Sequence, residues 1–205
     1  QALPLGKRPG RAVLPLGAQA VQRYGAAYAT IHRADLQALL LAAVQESAEV
    51  QLNLGLSIDG YTQGDGVVLV RTSAGKEVEG DALIGADGLW SRTRTQLLAD
   101  GPPCVTGHLA YRALARQGAL PKRLRTAQIT VWLGPRLHAV QYPVRGGALQ
   151  NLVVIVQGQP PEDLQNWDHS ANASGLAQAL AGTCTALQDV VRAAPGAGQG
   201  WRLWP

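Results

Sequence analysis

The 205-residue sequence contains no methionine, no phenylalanine and only two cysteines. Any core must therefore be packed by Leu, Val, Ile, Ala and Trp. Without Met there is no initiator, so the sequence reads either as processed at its front or as a piece of a longer chain. Sparse cysteine argues against processed secretion. Cys104 and Cys184 are too few and too far apart for a four-cysteine zinc site or a disulfide scaffold. No apolar run reaches the roughly 18 to 20 residues of a membrane-spanning helix. No block of like charge occurs either. The 18 Lys+Arg and 14 Asp+Glu, net +4, are scattered, whereas a nucleic-acid surface clusters its cations. What remains, 46% hydrophobic and 16% charged, is the composition of a chain that folds around a core.

Residues 1–25 are rich in Gly, Pro and Arg and read as irregular connection with room for one short strand. A helix is expected over about three turns from Asp35, where Leu36, Leu39, Leu40, Ala43 and Val44 share one face. Leu52, Leu54, Leu56 and Ile58 alternate, predicting a half-buried strand over 51–58. Strands at 67–71 and 77–81 complete a three-stranded meander. Residues 82–86 read as a short apolar strand, Asp87-Gly88 as its break and 91–98 as a helix. Gly101-Pro102-Pro103 is a hard stop, placing a domain boundary between 1–103 and 104–205. Strands follow at 107–116, 128–133, 138–143 and 149–157. Gly134-Pro135-Arg136 and Arg145-Gly146-Gly147 read as hairpin turns. A Pro- and acid-rich loop (159–170), short helices over 173–192 and an irregular tail close the chain.

The sharpest chemical signal is Gly85-Ala86-Asp87-Gly88-Leu89-Trp90-Ser91-Arg92-Thr93-Arg94. A strand ending in a tight turn and opening a helix presents free N–H groups to a phosphate, and Gly88 lets a ligand approach the backbone. Asp87 would repel phosphate, so its partner would be a sugar hydroxyl or a water. The structural alternative is an ordinary strand–turn–helix with Ser91 near the cap. Arg33 can fork onto a pyrophosphate or pair locally with Asp35. His138 and Tyr142, four apart on a strand, point to one face. They can line a pocket in which the imidazole takes a phenolic proton, or they can face solvent. No His/carboxylate cluster has metal-ligand spacing.

Asp87-Gly88 with Ser91 and Arg94 resembles the second fingerprint of the flavoprotein aromatic hydroxylases, the class of para-hydroxybenzoate and salicylate hydroxylases. Four further stretches are similar to that family, in its order: Ile31-His32-Arg33-Ala34-Asp35-Leu36, Ala110-Tyr111-Arg112, Val131-Trp132-Leu133-Gly134-Pro135 and Tyr142-Pro143-Val144-Arg145-Gly146-Gly147. The resemblance covers nearly the whole chain and is nearest to the salicylate, hydroxybenzoate and hydroxynicotinate branch. It implies an α/β (α+β) FAD-binding fold with a mostly antiparallel substrate sheet. It implies FAD near Arg33, Ile58, Asp87, Gly88, Ser91 and Arg94, and substrate near the base His138 and its polar neighbour Tyr142. It implies NADH or NADPH as reductant, O2 as co-substrate, a small aromatic carboxylic acid or phenol as substrate, and hence a cytoplasmic location. It leaves room for a homodimer.

The family's Gly-x-Gly-x-x-Gly turn and its Gly-Asp followed by Ala-Ala-His-Pro are absent from the sequence. The expectation is therefore the middle of a roughly double-length enzyme, with 1–103 a partial FAD-binding domain and 104–205 a truncated substrate domain. The alternatives are a non-hydroxylating flavin oxidoreductase of the same fold and a non-catalytic remnant. Without a first strand and helix, the apolar faces of 82–86 and of the 35–45 helix should lie uncovered. The isolated chain should then bind FAD weakly or not at all in a fluorescence titration; tight, saturable quenching would overturn that expectation.

Overall fold

A computed structural model describes residues 2–4, 12–160, 162–165, 169–170, 173–194 and 200–204. The chain divides into two compact units, one of residues 1–37 with 105–205, the other of residues 38–104.

The first unit is built on a seven-stranded sheet. Its strands are β1 (Ala2–Pro4), β5 (His108–Arg116), β6 (Thr130–Leu133), β7 (Leu137–Val144), β8 (Leu149–Gln157), β9 (His169–Ser170) and β10 (Arg202–Trp204). They lie in the order β1-β6-β7-β8-β5-β10-β9. Among the described residues only β1 against β6 is parallel; the other pairings of this sheet are antiparallel. β7 and β8 alternate strictly between buried and half-buried side chains along most of their length, as period-two patterning requires when one sheet face meets a core. The buried face carries Leu109, Tyr111, Ala113, Trp132, Ala139, Leu152 and Val154. Leu187, Val190 and Val191 of α5 (Thr185–Ala193), Leu176 of α4 (Ala173–Ala179) and Trp201 join them in one cluster. The core thus closes with Trp, Leu and Val in the places Phe and Met would otherwise fill.

Sequence reading and structure diverge at both ends of this unit. α1 (Ala18–Tyr24) lies inside a stretch expected to be irregular. Gly17 and Gly25, which lend that stretch its loop composition, are the helix's own ends, with Gly25 left-handed at φ 75°. The tail contains β10, whose Arg202 pairs across from Arg112 of β5. Residues 1, 5–11, 161, 166–168, 171–172, 195–199 and 205, which share in the readings of the terminal stretches, the acid-rich loop and the first short helix, lie outside the described residues.

The second unit contains a three-stranded antiparallel meander, β2 (Ile58–Gly64), β3 (Val67–Thr72) and β4 (Glu77–Gly80), and the helix α3 (Arg92–Leu98). Gln96 of α3 binds the meander's edge: its Oε1 accepts the Tyr61 N–H at 3.1 Å and its Nε2 donates to the Tyr61 carbonyl. α2 (Arg33–Glu46) begins in the first unit and contributes residues 38–46 to the second.

Two expected strands do not form. The first meander strand starts at Ile58, where the 51–58 reading ends, and 82–86 forms no strand. A strand exists through a hydrogen-bonded neighbour; among the described residues 82–86 has none, and 51–58 has one only at its end, where Ile58 pairs with Thr72 and the Ser57 carbonyl accepts the Ser73 N–H at 2.9 Å. Their apolar side chains are exposed, Leu54 at 79% and Ile84 at 88%, and α2 buries none of its residues. The uncovered apolar faces expected from the sequence are therefore present.

Leu187 is fully buried between the helices and the sheet. Leu187→Ala should destabilise the first unit by about 2–5 kcal/mol in urea unfolding; a loss under about 1 kcal/mol would contradict a close-packed sheet–helix core.

Candidate functional site

In the second unit, the turn ahead of α3 is held by a closed set of hydrogen bonds. Ser91 Oγ donates to Asp87 Oδ1 at 2.6 Å, and the Thr93 N–H donates to Asp87 Oδ2 at 3.1 Å. Ser91 is the N-cap, its Oγ accepting the Arg94 N–H at 2.9 Å. Two of the helix's otherwise orphaned N–H groups are satisfied this way. The Ser91 hydroxyl, with the Thr93 N–H, draws the Asp87 carboxyl down to about 2. Gly85 permits this closeness: a Cβ there would stand 2.8 Å from Thr93 Cγ2.

Arg94 is equally engaged, donating through Nε to Asp100 Oδ2 at 2.7 Å and through Nη2 to the same oxygen. Arg92 reaches Asp59 at 3.3 Å. Gly88 behaves differently. Its φ of 78° is left-handed, and no atom lies within 4 Å of where a Cβ would stand, so its backbone is open to a ligand. Beside the turn lies a cleft of about 290 Å³ lined by Tyr61, Gln63, Leu83, Gly85, Ser91 and Arg94, among others. Ile58 opens β2 opposite Thr72, next to a bulge, and is 40% exposed. Asp100 and Gln96 were not foreseen from the sequence: Asp100 follows the end of α3 and reaches back six residues to Arg94, and Gln96 meets Tyr61 from 35 residues away, which spacing does not reveal.

In the first unit, His138 and Tyr142 are half-buried on one face of β7, while Leu137, Ala139 and Gln141 are buried on the other. Strand register lays out the rest of that face in three rows. His138 lies between Leu133 and Ile155; Val140 lies between Val131 and Val153, with Arg112 beyond; Tyr142 faces Asn151, with Leu114 beyond. The result is an apolar floor of Val131, Val140, Val153 and Ile155. A titratable imidazole stands at one end and a phenol with an amide at the other, about 13 Å apart along the strand.

Arg33, first residue of α2, is exposed. The local pair with Asp35 does not form. Asp35 instead accepts Arg145 Nε at 2.8 Å and Nη2 at 2.6 Å, which holds its carboxyl below the usual range. Among the described residues no carboxylate pairs with Arg33. His32 Nδ1 stands 3.7 Å from Asp35; His108 is exposed and 3.3 Å from the Thr106 hydroxyl. Cys104 and Cys184 are free thiols. No cluster of metal-ligating side chains occurs among the described residues.

No family model matches the chain. Curated relatives do. The 3-hydroxybenzoate 6-hydroxylase of Polaromonas naphthalenivorans (strain CJ2) is 38% identical over 149 residues, which are 73% of this chain and 37% of the relative. Among solved structures, a salicylate hydroxylase in a substrate complex aligns with a TM-score of 0.65 at 27% identity, covering 85% of this chain and 45% of that one. Klebsiella pneumoniae HpxO, complexed with FAD and uric acid, aligns with a TM-score of 0.71 over 91% of this chain and 45% of its own. At 23% identity that likeness bears on fold alone. The chain spans less than half the length of these proteins. Its similarity to the FAD-dependent aromatic hydroxylases, first carried by five short motifs, holds across both sequence and fold.

The Asp87 network has a pH signature. The folded carboxyl titrates below the ordinary value of about 3.9, so its stabilising contribution is complete above about pH 4 and is lost as pH falls towards 2. Amide protection at Thr93 and Arg94 should fall through that window in the natural sequence and stay flat in Asp87→Asn. Hydrogen exchange read by NMR checks this; an unchanged titration in Asp87→Asn would remove Asp87 from the cap.

Proposed function

We propose that this chain forms part of an FAD-dependent monooxygenase that hydroxylates a small aromatic acid or phenol, with NADH or NADPH as reductant and O2 as co-substrate. The observation that carries the reading is the β7 face: one imidazole and one phenol flank an apolar floor on a paired sheet. An aromatic ring lies favourably on Val140 and its neighbours, and a deprotonated ring oxygen is what makes such a ring receptive to an electrophilic oxygen. His138 takes that phenolic proton on an imidazole nitrogen. Tyr142 and Asn151 orient the substrate's polar end, and the valine floor keeps water from the ring.

The residues present fit a flavin dinucleotide in a specific way. Among the described residues Arg33 has no carboxylate partner, which suits it to a pyrophosphate; in the other unit, taken by itself, the open backbone at Gly88 admits close approach. Asp87, Ser91 and Arg94 enter chiefly through the turn they hold, since their hydrogen bonds are already committed to the protein. Ile58 offers strand backbone to the adenine end. When bound and reduced, the flavin supplies the oxygen chemistry; the protein supplies orientation, proton removal and a dry surface. On this reading residues 1–103 serve the cofactor and 104–205 the substrate, in a cytoplasmic enzyme with access to nicotinamide.

Oxygen uptake is the test, measured with salicylate and hydroxybenzoates in the longest natural polypeptide that contains these residues. A hydroxylated product is expected. His138→Gln should lower kcat by about 10²- to 10⁴-fold at unchanged FAD content. Uptake without hydroxylated product would favour a non-hydroxylating flavin oxidoreductase, and full activity in His138→Gln would remove the proposed base.

A further inference from the structure

The turn between β7 and β8 holds three successive residues at positive φ: Arg145 at 52°, Gly146 at 61° and Gly147 at 88°. Glycine is what such backbone favours, and arginine gains nothing from it. The side chain must account for its presence. It delivers a two-pronged contact to Asp35, Nε to Oδ2 at 2.8 Å and Nη2 to Oδ1 at 2.6 Å, which fixes direction as well as distance. Just ahead of the helix, Thr30 Oγ1 donates to the Pro143 carbonyl at 2.5 Å. The stretch entering α2 is therefore tied at both ends to the strand–turn that carries Tyr142.

The pair is half-exposed, 49% at Arg145 and 37% at Asp35, so solvent screens its Coulomb energy and its effect is geometric. Asp35 is the third residue of α2 and Arg33 the first. Positions two apart on a helix point about 200° from each other. Seating Asp35 against the turn thus swings Arg33 away from it, and the carboxylate in Arg33's own helical turn is already occupied. We propose that Asp35 and Arg145 are positioning residues: they clamp the first turn of α2 to the β7–β8 turn and so hold Arg33 outward and uncompensated for an anionic group of the pyrophosphate class. The role of the anion rests on the flavin reading above; the clamp is a separate claim about this chain's own residues.

The experiment uses the isotope-labelled 205-residue chain. Amide exchange is followed by NMR, and the Arg33 signals are followed during titration with inorganic pyrophosphate into the millimolar range. Arg145→Gly is the informative variant, because glycine suits the backbone at 145 and leaves the turn intact. The thermal midpoint should hold or rise. Exchange at residues 33–36 should quicken about tenfold, and the pyrophosphate response at Arg33 should weaken by a similar factor, as loss of a two-pronged contact implies. Arg145→Lys, which keeps the charge without the fork, should fall between the two. Arg33→Gln should abolish the anion response and leave exchange at the clamp unchanged. If Arg33→Gln abolishes the response but Arg145→Gly alters neither exchange nor affinity, the clamp is wrong and the flavin reading stands. If the natural chain shows no response, or Arg33→Gln keeps it, the anion role of Arg33 and the flavin reading it rests on fail, and the clamp then stands or falls on whether exchange at residues 33–36 quickens in Arg145→Gly.

Discussion

Strand pairing along β5, β8 and β7 is the constraint from which the first unit follows. Once Ala139 opposes Val154 and Val154 opposes Tyr111, the period-two alternation leaves every second side chain no choice of face. One face becomes the core that receives α4, α5 and Trp201. The other necessarily carries His138, Val140 and Tyr142. A slip of one residue would bury the imidazole and expose Ala139, so the same pairing that stabilises the fold also installs the candidate chemistry. The apolar floor and the groups flanking it are a by-product of register.

The helix-start motif in the second unit works on a different principle. There the polar groups satisfy one another: Asp87, Ser91 and the α3 amides form a closed set, and Arg94 closes on Asp100. Such a set shapes a turn firmly and leaves the backbone at Gly88, rather than any charged side chain, as the surface on offer. Arg33 is the complementary case, a cation whose neighbouring acid in the same helical turn, Asp35, has been taken by Arg145. The two units thus present an open backbone and an uncompensated charge by opposite means.

What was legible in the sequence was local. β7 and β8 announced themselves through alternation and the glycines of their turn, and the α3 cap through Ser91 ahead of its helix. The strands expected at 51–58 and 82–86 were read from the same alternation and apolarity, but a strand depends on a neighbour that periodicity does not supply. α1 was hidden because its bounding glycines gave the whole stretch a loop's composition. The motifs holding Asp35 and Arg145 were both visible. Their pairing, across 110 residues, was not, because an ion pair between distant segments leaves no trace in spacing. His138 and Tyr142 were placed on one face by arithmetic, while the valine floor between them needed the register.

The two hydrogen bonds between Gln96 and Tyr61 carry a meaning beyond anchoring α3. β2 is an edge of its small sheet, and an edge with unpaired N–H and carbonyl groups is a template on which another molecule's strand can grow. The Gln96 amide presents a donor and an acceptor side by side, as a neighbouring strand would, and occupies both groups of Tyr61. A side chain therefore takes the place of an intruding backbone midway along β2. In a unit that already exposes Leu54 and Ile84, that amide closes this edge to an added strand at Tyr61.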